Sequence, residues 1–342
     1  MSLGYNIRKM ELKVDTHLQQ LTQILQQSWR HIRTERMKAT LKIQQAACDA
    51  MRSYLKSVGF MELLPPIIGP VTDPGIRGAK QVTFDYYGRE YKVMSSAILY
   101  KQAAMSGLGK IFFMSPNIRL EPIDSASSGR HLVEFVQLDL EIANATYFDA
   151  MSVAENLLCA AMNTVKDECK RELELLGREL PTFSPPFKKF TYDEVLELLR
   201  KNGMKVRYGV EIPWDAEYLI SKIMDEPFFI IDYPRGARGF YDREDENRPG
   251  ILRDFDLIYP EGYGEGASGA EREYRYDRVM ARMRETGEDP RKYAWYLEML
   301  REGIPPSAGF GIGVERLTRY LCGLNAVWEA RLCPKVAGVY SP

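Results

Sequence analysis

Two short stretches of the chain carry residue types able to bind a phosphate, a flat base and an amino acid. If 134–143 is a strand, alternate side chains face opposite ways. Val136, Leu138, Leu140 and Ile142 then form a core face, and Phe135, Gln137, Asp139 and Glu141 form the other. Upstream, Arg119 and Glu121 share a face opposite Ile118 and Leu120. Pairing 111–121 with 134–143 as a hairpin brings Arg119, Glu121, Phe135, Gln137 and Asp139 together, with Arg130 and His131 in the connecting loop. A guanidinium grips phosphate bidentately. A phenyl ring stacks on a purine, and a carboxylate accepts from an exocyclic amino group. The same residues also suit an ordinary half-exposed hairpin with an Arg119–Glu121 ion pair, and the spacing alone leaves both open.

Two glycine-rich stretches add further groups. In GYGEGASGAER, 262–272, Glu265 and Ser268 are hard oxygen donors suited to Mg²⁺ carried by a nucleotide. Arg272 can hold a carboxylate there, while the bland alternative is a flexible loop. Near the C-terminal end, Gly309, Gly311 and Gly313 precede Glu315 and Arg316. Alternating glycines in a strand admit a close ligand or a close backbone. Too little chain follows Gly313 for a dinucleotide-binding βαβ unit. Arg316 suits an anion or a plain amphipathic helix.

These groups need elements to hold them. Leu18, Leu21, Ile24, Leu25 and Ile32 recur at helical spacing over 15–35 behind an Asp15/Thr16 cap. Leu41, Ala47, Met51, Tyr54 and Leu55 mark a second helix, stopped by Gly59. Arg30, Arg33, Arg36, Lys38 and Lys42 cluster between them, as a solvated helix face in the simplest reading and as an RNA contact in the sharper one. Strands are expected at 61–68 (bent by Pro65 and Pro66), 89–95, 111–121, 134–143, 227–233 and 254–259. Helices are expected at 96–106, 148–175, 191–202, 271–284 and 290–301, with a strand-to-helix unit at 307–322. Hairpins mixed with helices imply an α+β fold rather than a doubly wound sheet.

Composition narrows the function. The 342 residues are 45% hydrophobic and 27% charged, with a net charge of −1. This excludes a disordered or coiled-coil chain and offers no global positive field to nucleic acid or an anionic membrane. No apolar run approaches the roughly 18 residues of a membrane helix, and no signal-peptide pattern opens the chain. A cytoplasmic protein without membrane contact is expected. Five cysteines without a CxxC fit a reducing compartment, and three histidines argue against multi-histidine metal catalysis.

Three strings fall in a telling order: IRLEP followed by SGRHLVEFVQLDLEI, then GYGEGASGAEREY, then GFGIGVERL. With them the chain resembles the catalytic domain of the class II aminoacyl-tRNA synthetases, aspartyl/asparaginyl branch, over about residues 40–335. The span from Arg119 to Glu141 is similar to motif 2, GFGIGVER to motif 3, and the stretch around Pro65 and Pro66 to the dimer-forming motif 1. SSAILYKQ at 95–102 resembles the amino-acid-binding segment, with Ile98 where a glutamine is usual. The resemblance implies an antiparallel sheet flanked by helices, with ATP and Mg²⁺ as cofactors. Arg119 would hold the α-phosphate and Glu121 the adenine amino group. Phe135 and Arg316 would sandwich the base, and His131 would meet the outer phosphates, with Arg130 and Gly313 beside the nucleotide. Glu265 and Ser268 would place the metal. Ser96, Lys101, Gln137, Asp139 and Arg272 would surround the amino acid, with Arg119 and Arg272 acting on the reaction.

The family's anticodon-reading β-barrel finds no room in the first 39 residues, which read as a helical extension. Residues 40–342 read as the catalytic domain, with a mainly helical insertion at about 148–225. On that ground the chain is most similar to a synthetase-related group, the archaeal asparagine synthetases. That similarity implies a homodimer joining L-aspartate and ammonia at the expense of ATP, through a β-aspartyl-adenylate, to give L-asparagine and AMP. It also makes tRNA an unlikely partner. The rivals are a truncated synthetase paralogue that aminoacylates an RNA or a carrier, and a non-catalytic regulatory paralogue. The intact Arg119, Glu121, Phe135 and Arg316 argue against the latter.

Overall fold

The structure, a computed structural model, describes residues 19, 21–74 and 78–342. Its strands are β1 (Met61–Glu62), β2 (Ile68–Gly69), β3 (Thr83–Tyr86), β4 (Arg89–Val93), β5 (Lys110–Ile118), β6 (Glu134–Ala143), β7 (Lys188–Thr191), β8 (Phe228–Ile231), β9 (Asp254–Tyr259), β10 (Gly264–Arg272) and β11 (Ser307–Gly313). The main helices are α1 (Glu35–Ser57), α2 (Ile98–Ala104), α3 (Tyr147–Glu168), α4 (Lys170–Leu176), α5 (Tyr192–Lys201), α6 (Trp214–Ile223), α7 (Tyr276–Thr286), α8 (Ala294–Glu302) and α9 (Val314–Cys322). Eight strands form one mixed sheet in the order β1-β5-β6-β11-β10-β9-β8-β7, and β2-β4-β3 form a small second sheet. The six central strands of the large sheet are antiparallel, and β1 and β7 join its edges in parallel. This is the expected α+β fold, and neither sheet closes into a barrel among the described residues.

Capping and packing explain the helical layer. Thr34 caps α1 by accepting from the Met37 amide, and Thr146 and Asp149 form a capping box on α3. Ile43, Ala47, Met51 and Leu55 of α1 pack with Ala154, Leu157, Leu158 and Ala161 of α3 against Phe112, Leu138, Leu140 and Phe310 of the sheet. That leaves the opposite face of β6, β10 and β11 to line a cavity. Among the described residues no helix is long and apolar enough to cross a membrane.

Several expectations shift. The apolar stretch 61–68 is not one strand: β1 and β2 enter different sheets, with Leu64 between them 96% exposed. Strand β5 ends at Ile118, so Arg119 and Glu121 lie beyond it and strand alternation does not place them. The glycine-rich stretch is strand β10 rather than a loop, and the helix expected at 271–284 starts at Tyr276. A Cβ on Gly269 would lie 2.6 Å from the Gly309 carbonyl and the Phe255 ring, so the sheet itself demands glycine there. The region 15–35 is helical over 21–26 and 28–31, and its expected Asp15/Thr16 cap lies outside the described residues. Of the basic cluster, Arg36, Lys38 and Lys42 pair with Glu329, Glu35 and Glu172, as a solvated face would.

Candidate active site

A cavity of about 480 Å³ opens on the sheet face away from α1 and α3. Ser96, Lys101, Arg119, Glu121, Arg130, His131, Phe135, Gln137, Asp139, Glu265, Ser268, Arg272, Gly313 and Arg316 all line it. These residues therefore meet at one site, although they come from three strands (β6, β10 and β11), two helices (α2 and α9) and two connections. Strand alternation accounts for Gln137 and Asp139, whose neighbours Leu138 and Leu140 are buried in the core. Glu141 continues that face but is fully buried beneath the cavity floor.

One end of the cavity holds paired charges. Lys101 is 2% exposed and donates to Asp139 Oδ1 at 2.9 Å and to the Phe310 carbonyl at 3.2 Å. Asp139 Oδ2 is buried without a hydrogen-bond partner. Arg272 donates from Nε to Glu141 (3.2 Å), from Nη1 to Asp242 (3.0 Å) and from Nη2 to the Gly309 carbonyl (2.9 Å). Burial alone would lower the Arg272 pKa, but Glu141 and Asp242 more than offset this and keep the guanidinium charged. Burial raises the Asp242 carboxyl, against the pull of Arg272. The alternating glycines find their reason here. A Cβ on Gly311 would sit 2.8 Å from Asp139 Oδ1, and one on Gly309 would overlap the Glu141 carboxylate. They make room for the carboxylates of the neighbouring strand.

The other end is cationic and aromatic. The Arg119 guanidinium lies 5.1 Å from the Phe135 ring centroid, and its Nε donates to the Ser95 carbonyl at 3.1 Å. Arg316 Nη1 is 3.3 Å from Glu265 Oε1. His131 Nδ1 shares a 2.8 Å hydrogen bond with Ser128 Oγ. Arg130 is buried in an ion pair with Glu217 of α6. Among the described residues, no three His, Cys, Asp or Glu side chains cluster to hold a metal on their own. Glu265 and Ser268, adjacent across the bulge in β10, do fit a Mg²⁺ that arrives with phosphate oxygens.

Sequence reasoning missed Asp73, Glu211, Arg238, Tyr241 and Asp242, which also line the cavity, and Glu217 behind it. Tyr241 donates to Asp73 Oδ1 at 2.7 Å. Arg238 is buried between Glu211, Asp254 and Asp256. All but Asp73 and Glu211 of these lining residues come from the charge-dense segment 234–250, where the density was legible but not which charges turn inward.

Comparison with known proteins places this geometry. The model for tRNA synthetases class II (D, K and N) matches residues 20–337. An asparagine–tRNA ligase of Pyrococcus abyssi is 35% identical over 308 residues, 89% of this chain and 70% of that protein. An aspartate–tRNA(Asp/Asn) ligase of Methanopyrus kandleri is 36% identical over 307 residues, 89% of this chain and 69% of that protein. The crystal structure of asparaginyl-tRNA synthetase from Pyrococcus horikoshii complexed with asparaginyl-adenylate superposes with a TM-score of 0.88 at 34% identity, covering 93% of this chain and 73% of that one. These relatives are tRNA ligases by name, which overturns the expectation that tRNA is an unlikely partner. The lack of room for a barrel and the near-zero net charge misled there, because the match to tRNA ligases rests on the catalytic domain, and a protein near neutrality can still carry local binding surfaces. With the sheet, the cavity and the match over nearly its whole length agreeing, the chain belongs to the class II tRNA synthetases of the D, K and N group.

Proposed function

We propose that this protein is an ATP-dependent ligase that forms an aminoacyl-adenylate from aspartate or asparagine and transfers the acyl group to tRNA or a related RNA. The observation that carries this reading is the two-ended cavity. Asp139 presents an unpartnered carboxylate oxygen beside Lys101 and Arg272 at one end, and Arg119, Arg130, Phe135 and Arg316 gather at the other. The likeness to a solved relative bound to asparaginyl-adenylate supports it.

In this reading Asp139 Oδ2 receives the substrate α-ammonium, and Arg272 and Gln137 orient its carboxylates or amide, with Ser96 and Lys101 closing the pocket. Phe135 stacks on adenine, Glu121 accepts from the adenine amino group, and Arg316 leaves Glu265 to cover the second face. His131 and Arg130 hold the outer phosphates beside Gly313. A carboxylate oxygen of the amino acid attacks the α-phosphorus, the bond to the β-phosphate oxygen breaks, and pyrophosphate leaves. Arg119 stabilises charge developing on the α-phosphate, a positioning and electrostatic task. A Mg²⁺ held by Glu265 and Ser268 would neutralise phosphate charge when bound. Residues 40–342 are proposed as the catalytic unit, carrying a mainly helical insertion at about 148–225, with 1–39 as an extension of which 1–18 and 20 lie outside the described residues. The exposed Met61, Leu64 and Ile67 (53%, 96% and 58%) fit a second copy of the chain. The cytoplasm is the compartment that goes with this reading.

The test is amino-acid-dependent ATP–pyrophosphate exchange with aspartate and with asparagine, followed by acylation of tRNA. Exchange with one of them and labelled acyl-tRNA is the expected result. Free asparagine formed from aspartate, ATP and ammonium without RNA would replace the acyl-transfer step with an ammonia-consuming one. No exchange with either amino acid would refute the adenylate reading.

A further inference from the structure

Arg130 is an unusual residue to find fixed. It sits in the loop between β5 and β6, yet it is only 7% exposed. Among the described residues its guanidinium has one ion-pair partner, Glu217, which is also 7% exposed. Glu217 belongs to α6, outside the strands that build the cavity but packed against the start of β10. It does not itself line the cavity, whereas Arg130 does. Two further guanidiniums crowd Arg130, with Glu265 and Glu329 as nearby acids. Arg319 has its pKa lowered, first by burial and then by the charge of Arg130. Arg316 adds a third positive charge to the group and is answered by Glu265. The backbone is shaped around the pair as well. Gly264 has φ +75°, and a Cβ there would stand 2.9 Å from Arg130 Nη2 and 3.1 Å from Glu217 Oε2.

We propose that Glu217 is a positioning residue for nucleotide phosphates: from α6 it holds the Arg130 guanidinium at the cavity wall against the repulsion of Arg316 and Arg319. The proposal rests on the reading that this cavity binds ATP. A loop arginine without a counter-ion is pushed away from two neighbouring guanidiniums toward solvent. With Glu217 behind it, Arg130 meets the phosphates already in place, and binding does not have to order it. Glu217 does not line the cavity, so its effect on the nucleotide passes through Arg130. The helical segment that carries α6 thereby becomes part of the nucleotide site.

The test compares two ligands by titration calorimetry on the full chain. Glu217→Gln keeps the volume of the side chain and removes its charge. ATP should bind on the order of ten-fold more weakly, because a buried charge partner is lost, while adenosine, which has no phosphate, should bind as it does to the unaltered protein. Glu217→Asp keeps the charge on a shorter arm and should weaken ATP binding less than Glu217→Gln. Arg130→Met should lose ATP affinity, and adding Glu217→Gln to it should cost nothing more, since both remove one interaction. Unchanged ATP affinity in Glu217→Gln, an equal loss for adenosine, or additive losses in the double variant would each overturn the proposal. An unaltered protein that binds adenosine and ATP equally well, or neither, would overturn the nucleotide reading and this proposal with it.

Discussion

Arg272→Lys is the substitution that separates a surface clamp from a buried hub. The three nitrogens of Arg272 serve three acceptors in different directions: Glu141 at 3.2 Å, Asp242 at 3.0 Å and the Gly309 carbonyl at 2.9 Å. A lysine has one ammonium and cannot span them. Glu141 keeps the Ser307 hydroxyl at 2.8 Å, so the heavier loss falls on Asp242. Breaking a buried ion pair from one side costs about 3–5 kcal/mol, a large part of the roughly 5–15 kcal/mol that holds a domain together. Urea denaturation at pH 8 should show a deficit of that order, and the KM for the amino acid should rise far more than that for ATP. The deficit has a pH signature. Asp242 is already pushed up by burial, with Arg272 the main group pulling it down. Without the guanidinium its folded pKa rises further, so the folded state binds a proton the unfolded chain releases, and the deficit shrinks as pH falls. For the same reason Arg272→Lys with Asp242→Asn should be more stable at pH 8 than Arg272→Lys alone. A single variant within about 1 kcal/mol of the unaltered protein at pH 8, or one whose deficit is the same at pH 5, would refute the hub.

Phe135→Ala should weaken ATP binding by on the order of 1 kcal/mol of stacking while leaving the urea midpoint nearly unchanged, since the ring is only half-buried; unaltered ATP affinity in calorimetry would remove Phe135 from the site. Asp254 is pushed up to about 7, chiefly by burial and against the pull of Arg238. Its folded pKa lies above the unfolded value, so it favours folding at low pH, and that contribution fades as pH rises toward about 7. Asp254→Asn should therefore flatten the fall in stability between pH 5 and 7, and identical urea profiles for both proteins would contradict this. The exposed Leu64 predicts a dimer in solution, with Leu64→Arg halving the mass seen by light scattering; one chain mass for the unaltered protein would rule the dimer out.

How far the site could be read from the sequence depends on how far apart its partners lie. Strand β6 was legible because a period of two with one apolar face fixes which side chains turn inward, and Gln137 and Asp139 followed from Leu138 and Leu140. Arg119 and Glu121 reach the cavity too, but not by that rule, since β5 stops at Ile118 and the chain beyond it is steered by the Arg119 amide donating to the Val133 carbonyl. The alternating glycines were legible as a close approach, and only the register of β6 against β11 shows that what approaches is carboxylate: Gly311 faces Asp139 and Gly309 faces Glu141. Least legible were the long-range pairs. Asp242 in a segment dense with charge, and Glu217 on a helix whose Trp214 and Tyr218 are half exposed, look like solvated groups until a distant arginine is placed against them. Local periodicity cannot show this, because burying a carboxylate is unfavourable until its partner arrives, and the partner comes from another part of the chain. The parts of this site hidden in the sequence are therefore its paired charges. The arginines a phosphate or carboxylate would meet were visible as residue types. The acids that hold them in place, Glu217 for Arg130 and Asp242 for Arg272, became visible only with the fold.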